Sequence, residues 1–137
     1  MKKLIKIFIF SVGVLMLVLV FAGLFFIDIG INSKFFIERH FNQAFQYRIT
    51  GDCDSFVDYV YRDIRKWKER CKEEKTHGKE PIRNFGIQQV SHKFLNDRAF
   101  LQVELIRNVE AKEDYTYSVS YEMKKSGLKW KIDQEIK

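Results

Sequence analysis

The sequence predicts an α+β protein in which an N-terminal transmembrane helix is followed by helices packed on an antiparallel sheet of about four strands. Two observations lead to this prediction. Residues 7–27 contain no charged side chain. Further along, apolar side chains recur at spacings of three and four before Pro81 and at alternate positions after it. The first spacing is typical of one helix face and the second of a strand with one buried face.

Residues 7–27 (IFIFSVGVLMLVLVFAGLFFI) are long enough to cross a membrane as a helix. At about 1.5 Å per residue they span roughly 30 Å, the thickness of the hydrocarbon core. The run is longer than the apolar core of a cleaved signal, and its weak cleavage-like sequence Val20-Phe21-Ala22 lies inside it. It also lacks the polar face of a buried core helix. We therefore predict an uncleaved signal-anchor helix, with a cleaved signal and a core helix as the alternatives.

The distribution of lysines predicts how this helix is oriented. Lys2, Lys3 and Lys6 precede the run, whereas only Asp28 and Lys34 are charged among the first residues after it. Because short segments rich in Lys and Arg stay on the cytoplasmic side, residues 1–6 are expected to be a cytoplasmic tail. The chain is then a single-pass membrane protein, and residues 32–137 form one extracytoplasmic domain.

Two helical segments are predicted before Pro81. Asn32 or Ser33 can cap the first, and Gly51 ends it. Its buried face is predicted to consist of Phe36, Ile37, His40, Phe41, Ala44, Phe45 and Arg48. Asp52 can cap the second segment, which continues into the charged loop 72–79. The face of that segment comprises Phe56, Val57, Val60, Ile64, Trp67 and Cys71.

Four strands are predicted after Pro81. The first runs from Phe85 to Phe94, and Asn96-Asp97 marks a turn. Residues 108–114 form a polar connection, and Ser126-Gly127 a second turn. The inward side chains of the last three strands are predicted to be Ala99, Leu101, Val103 and Leu105, then Tyr115, Tyr117, Val119, Tyr121 and Met123, and finally Leu128, Trp130 and Ile132. Short links between such strands favour antiparallel pairing.

The order of these elements resembles the nuclear transport factor 2-like (cystatin-like) superfamily. The resemblance is carried by Gly51-Asp52-Cys53 between the helices, by the alternation over 117–122, and by GLKWKID at 127–133. It covers about residues 32–137 and implies a strongly curved sheet that forms a cone with the helices. It points to small bacterial membrane-anchored or secreted domains of unknown function. Because the superfamily includes isomerases, dehydratases, binding modules and secretion-assembly domains, the resemblance implies little about activity.

In catalytic members of this superfamily the mouth of the cone is the enzyme pocket. The resemblance therefore implies a pocket lined by His40, Tyr115, Tyr117, Tyr121 and Trp130. Isomerase-like or dehydratase-like chemistry needs a buried Asp or His as base and a donor for the oxyanion. The tyrosines are donors, but the register predicts no carboxylate or His at an inward strand position. His40 is the best candidate base, yet a histidine on an apolar helix face is more often a core residue. We predict no catalytic residue and no enzyme.

Cys53 and Cys71 are candidates for a disulfide, since two cysteines outside the cytoplasm favour one. In one unbroken helix they would lie about 27 Å apart, whereas a disulfide needs Cα atoms within about 7 Å. A bridge therefore requires a bend between them, which we expect around 62–66, and the resemblance implies a break there. The alternatives are two cysteines that pack separately and a cytoplasmic domain with reduced thiols.

Composition argues against several other classes of site. The 24 basic and 18 acidic residues give a net charge of +6, which falls to +3 when the three N-terminal lysines are left out. This charge is too small to predict nucleic-acid binding. His77 and His92 do not join the cysteines in a recognised zinc spacing. We predict no metal and no cofactor.

Two functional hypotheses remain. The first is a non-catalytic module that is held to the lipid bilayer by residues 7–27 and binds or assembles with an envelope protein, or with a second copy of itself. Assembly subunits of type IV secretion systems share this layout, although their cytoplasmic tails are usually longer. The second is a small-molecule enzyme or carrier that uses the cone.

Overall fold

The computed structural model describes residues 1–31, 33–76, 81–93, 96–107 and 114–136. The chain divides into two compact units, residues 1–31 and 32–137. The first unit is helix α1 (Lys2–Ile31). Its segment Lys2–Ile27 is long and apolar enough to cross a membrane, a property that a signal sequence shares. The predicted boundaries of the tail, the anchor and the domain remain predictions.

Helix α2 (Lys34–Thr50) begins and ends where the sequence predicts. The Ser33 hydroxyl accepts a hydrogen bond from the Phe36 amide at 3.4 Å, whereas Asn32 lies outside the described residues. Gly51 ends the helix at φ 78°, a conformation that glycine adopts without steric cost. The predicted buried face is confirmed except at Phe36, which is half-buried.

The second helical segment is broken into α3 (Cys53–Val57) and α4 (Ile64–Thr76). The break comes earlier than the predicted 62–66, because residues 59–61 leave the helix to pair with the last strand. The Tyr61 amide donates to the Ile132 carbonyl at 2.8 Å, and the Ile132 amide donates to the Tyr59 carbonyl at 2.7 Å. As a result α4 begins at Ile64, and the Ile64 side chain is exposed. The prediction that Ile64 belongs to the buried face is wrong.

The predicted disulfide is confirmed. Cys53 and Cys71 are bonded, with their Cα atoms 5.8 Å apart, and both are buried. The break between α3 and α4 brings the two residues together across 18 positions of sequence. The bridge therefore ties the start of α3 to the middle of α4.

The four strands form one antiparallel sheet in the order β1-β2-β3-β4. Their bounds are β1 (Ile82–His92), β2 (Arg98–Arg107), β3 (Tyr115–Ser126) and β4 (Lys129–Ile136). The first strand begins before the predicted Phe85, and Phe94 lies outside the described residues. Register shifts in the β1–β2 and β3–β4 pairs mark bulges, which bend strands. The predicted α+β class is confirmed.

A bulge in β4 changes which side chains face the helices. Met123 pairs with Ile132 but Glu122 pairs with Gln134, so Asp133 is an extra residue. Beyond the bulge Glu135 pairs with Tyr121 and lies on the same face of the sheet. The prediction that no carboxylate occupies an inward strand position is therefore wrong. Leu128 was also misplaced: it lies in the β3–β4 turn and is 71% exposed.

Aromatic side chains fill the space between the helices and the sheet. Phe41 and Phe45 of α2 stack with ring centroids 4.4 Å apart. The Tyr121 ring lies 5.4 Å from Phe41 and 5.3 Å from Phe45. These three side chains and Trp130 are fully buried.

Candidate functional site: an ionic cluster beside an α4–β4 groove

Charged side chains gather at the end of the core where α2 ends and β3 begins. We call this set the ionic cluster; it consists of Arg48, Arg70, Glu74, Arg107 and Glu135. The cluster draws on α2, α4, β2 and β4, so no single element predicts it.

Arg48 and Glu74 form the centre of the ionic cluster. The Arg48 guanidinium donates two hydrogen bonds to the Glu74 carboxylate, from Nε at 2.9 Å and from Nη2 at 2.6 Å. Arg48 is only 3% exposed. Its guanidinium carbon also lies 5.2 Å from the Phe45 ring centroid and 5.5 Å from that of Trp67. The buried cation is thus stabilised both by a carboxylate and by aromatic faces.

Two further arginines complete the ionic cluster. Arg107 Nη1 donates to Glu74 at 3.3 Å, and its Nε donates to the Tyr117 hydroxyl. Arg70 Nη1 donates to Glu135 at 3.1 Å. Glu135 in turn lies 3.5 Å from the Tyr121 hydroxyl. Three guanidinium groups therefore share two carboxylates.

The electrostatics of the ionic cluster depend on Glu74. Burial disfavours the charged carboxylate, but the hydrogen bonds from Arg48 and the positive charges of Arg48, Arg107 and Arg70 outweigh it, so the pKa of Glu74 is lowered. The carboxylate is consequently ionised at neutral pH. It holds arginines from two other elements against α4.

Acid is expected to weaken the folded domain through Glu74. Because its pKa is lower in the folded chain than in the unfolded one, the unfolded chain binds more protons. The stabilisation by Glu74 is complete above its unfolded pKa of about 4.3 and is lost as the pH falls through the folded pKa. Unfolding by urea, measured across this acidic range, should show a shallower fall for a Glu74→Gln variant than for the unmodified chain. Identical pH profiles would contradict this assignment.

A groove of about 530 Å³ runs between α4 and the end of β4. We call it the α4–β4 groove; it is lined by Asp63, Lys66, Trp67, Arg70, Asp133, Gln134 and Glu135. Arg70 and Glu135 belong to both the groove and the ionic cluster. Asp133 is held by an ion pair with Arg62. The groove therefore combines charges of both signs with the buried Trp67 ring.

The five residues predicted to line a pocket fall in three separate places. His40 Nδ1 accepts a hydrogen bond from the Trp130 amide at 2.9 Å. Tyr121 lies within the aromatic core. Tyr115 and Tyr117 stack with ring centroids 5.6 Å apart at the start of β3. Of these five residues, Tyr117 and Tyr121 form hydrogen bonds with the ionic cluster.

His40 has the contacts of a core residue. Burial, assisted by the positive charges of Lys129 and Arg39, lowers the pKa of His40. Its ring is therefore neutral at neutral pH, and Nδ1 is engaged as an acceptor.

His77 lies outside the described residues. Among the residues that are described, no group of three or more His, Cys, Asp or Glu side chains could hold a metal. The absence of an enzyme activity stays a prediction.

Sequence reasoning missed most of the ionic cluster, although one signal was present. Arg48 falls on the otherwise apolar face of α2, and a charged residue at such a position needs a buried partner. That signal does not identify the partner, because Glu74 lies 26 residues away in a segment with many other charges. Glu135 was missed because the bulge in β4 reverses the alternation.

Comparisons with known proteins bear on the fold. No family model and no curated protein matches the sequence. A SEC-C motif containing protein from Rhodopseudomonas palustris is similar in structure, with a TM-score of 0.56, 10% identity, and coverage of 67% of this chain and 70% of that one. An NTF-2 like protein of unknown function from Shewanella oneidensis has a TM-score of 0.53 and 16% identity, and the match covers 72% of this chain and 93% of that one. At these identities the likeness shows the fold alone: the chain has a nuclear transport factor 2-like fold.

Proposed function

We propose that this chain is a membrane-anchored, non-catalytic binding module whose extracytoplasmic domain holds an envelope protein in the α4–β4 groove. The observation that carries the proposal is the contrast between a filled interior and an open groove. Phe41, Phe45, Tyr121 and Trp130 occupy the inside of the fold, where a catalytic member would need space for substrate. The groove beside them has room for a ligand.

The chemistry of the groove favours a peptide segment as its occupant. Lys66 and Arg70 place positive charge on the helix wall, while the Asp133 and Glu135 carboxylates on the other wall are held in ion pairs with Arg62 and Arg70. The wall on the sheet side is β4, the last strand in the sheet order. Residues 59–61 pair with β4 at Ile132, before the groove residues begin. An extended segment can bind beside such an edge through its main chain.

A photo-crosslinking experiment in intact cells tests this proposal. A photoreactive amino acid at Gln134, in the groove, should give an adduct of discrete mass with another protein. The same amino acid at Gln102, exposed on β2 two strands away from β4, should not. Because a wall charge contributes to binding, Lys66→Glu should lower the yield of the adduct at position 134.

A matched variant checks whether the groove itself is responsible. Arg65→Glu makes the same change of charge one residue away, on a fully solvated side chain outside the groove. It should leave the yield unchanged. Equal adducts from positions 134 and 102, or equal effects of the two charge reversals, would refute the groove as a protein-binding site. An adduct of twice the chain mass would identify the partner as a second copy.

The ionic cluster favours a second candidate, a carrier of a small anionic molecule. Three guanidinium groups against two carboxylates give the ionic cluster one excess positive charge. Lys66 and Arg70 bring positive charge into the groove of about 530 Å³, whose lining also holds Asp63, Asp133 and Glu135. Volumes of roughly 300–1,000 Å³ are usual for small-molecule sites. A lack of crosslinks at Gln134, together with a higher thermal stability in the presence of a dicarboxylate, would favour the carrier.

A further inference from the structure

We propose that the tip of the β3–β4 hairpin docks the domain onto a bilayer surface that carries anionic phospholipid headgroups. The basic tip, as we call residues 124–131 (KKSGLKWK), contains four lysines and no acidic residue. At its turn Leu128 is 71% exposed. The proposal shares only the membrane anchor with the function proposed above and does not involve the α4–β4 groove.

The hairpin holds its lysines and its leucine in a fixed arrangement. Gly127 takes the positive φ of 62° that the tight turn requires, and this turn projects Leu128 into solvent. The Lys129 ammonium lies 4.7 Å from the Tyr59 ring centroid, and the Lys124 ammonium lies 4.6 Å from that of Tyr61. These cation–π contacts keep two positive charges close to the turn. An exposed apolar side chain among lysines suits an interface between headgroups and acyl chains.

Contacts place the basic tip at the end of the domain where the chain enters it. Trp130 donates its amide hydrogen to His40, which lies in the first half of α2, and the His40 ring packs 6.0 Å from Phe36. The neighbouring Phe35 is 66% exposed. The ionic cluster, by contrast, lies at the far end of α2, around Arg48.

The connection between the candidate span and helix α2 is short. Helix α2 begins at Lys34, seven residues after Ile27, the last residue of the candidate span. Seven residues reach at most about 25 Å even when they are fully extended. A tether of this length lets the basic tip reach the headgroups, where lysines are attracted to anionic lipids and only weakly to neutral ones.

The test uses the full chain in lipid nanodiscs made of phosphatidylcholine alone or with phosphatidylglycerol. Because the native cysteines are bonded to each other, Leu128→Cys adds one thiol for an environment-sensitive fluorophore. Thr116→Cys is the matched control: it is exposed on β3, about 33 Å along the strand from the turn. Quenching by a nitroxide on the lipid then reports whether each position contacts the bilayer.

We expect quenching at position 128 with phosphatidylglycerol, little with phosphatidylcholine alone, and none at position 116. Replacing Lys125 and Lys129 by Gln should lower the contact equilibrium by at least about tenfold, because two charges are removed from the lipid interface. The labelled chain must keep the disulfide and co-purify with the nanodisc, both with and without the two Gln replacements. This requirement separates a failed anchor from a failed contact. Equal quenching in both lipids, or none at position 128, would overturn the proposal. If position 128 is covered in cell membranes but not in nanodiscs, a protein rather than lipid covers it. That result would also overturn the proposal.

Discussion

Replacing Glu74 by Gln is expected to lower the free energy of unfolding by about 3–5 kcal/mol, the usual cost of removing one partner from a buried ion pair. The loss should be large because Arg48 and Arg107 are 3% and 6% exposed and both donate to this carboxylate. A neutral amide cannot compensate two buried guanidinium groups. Urea unfolding followed by the fluorescence of Trp67 and Trp130, both buried in the domain, measures the effect.

The same helix offers a matched control for this prediction. Glu69 pairs with Arg65 at 3.6 Å, but both side chains are largely in solvent. Glu69→Gln should therefore change the free energy of unfolding by no more than about 0.5 kcal/mol, as for other exposed pairs within a helix. If the two glutamine variants were equally stable, the ionic cluster would not be a main source of stability.

Removing the disulfide is the second change with a large expected effect. A chain in which Cys53 and Cys71 are both replaced by Ala should lose about 3 kcal/mol, because the unfolded chain regains the freedom of a loop of 18 residues. For a domain of this size each kcal/mol lowers the melting temperature by about 4–8 °C. A drop of more than about 10 °C is therefore expected in a thermal scan followed by tryptophan fluorescence.

Reduction provides an internal check on this result. A reducing agent should lower the melting temperature of the unmodified chain towards that of the double Ala variant. It should leave the variant itself unchanged, since no other cysteine is present. A variant as stable as the oxidised chain would mean that the packing of α3 against α4 holds these helices without the bridge.

The bridge also connects stability to the proposed binding site. Cys71 lies on α4 between Trp67 and Glu74, so the disulfide restrains the helix that forms one wall of the groove and carries the central carboxylate. Loss of the bridge should consequently loosen the groove and the ionic cluster together. A groove variant such as Lys66→Glu alters only a solvated charge and should leave the melting temperature unchanged.

Periodicity was a good guide wherever a segment interacts with the rest of the fold through one regular face. The buried positions of α2 and the inward residues of β2 were predicted residue by residue, because each element keeps its period throughout. The same reasoning was wrong at Ile64 and Leu128. At Ile64 the helical segment is broken because residues 59–61 pair with β4. Leu128 lies in the turn where β3 and β4 pair as a hairpin.

The sequence by itself determined the apolar N-terminal helix, the bounds of α2, the α+β class and the bend that a Cys53–Cys71 bridge requires, because these follow from composition, spacing and bond geometry. Only the tertiary structure decided that Glu74 is the shared partner of three arginines and that Glu135 faces inward. The physical reason is that burial and pairing depend on which distant residues meet. A bulge of one residue in β4, or a break of six between α3 and α4, changes those contacts without leaving a clear periodic trace in the sequence.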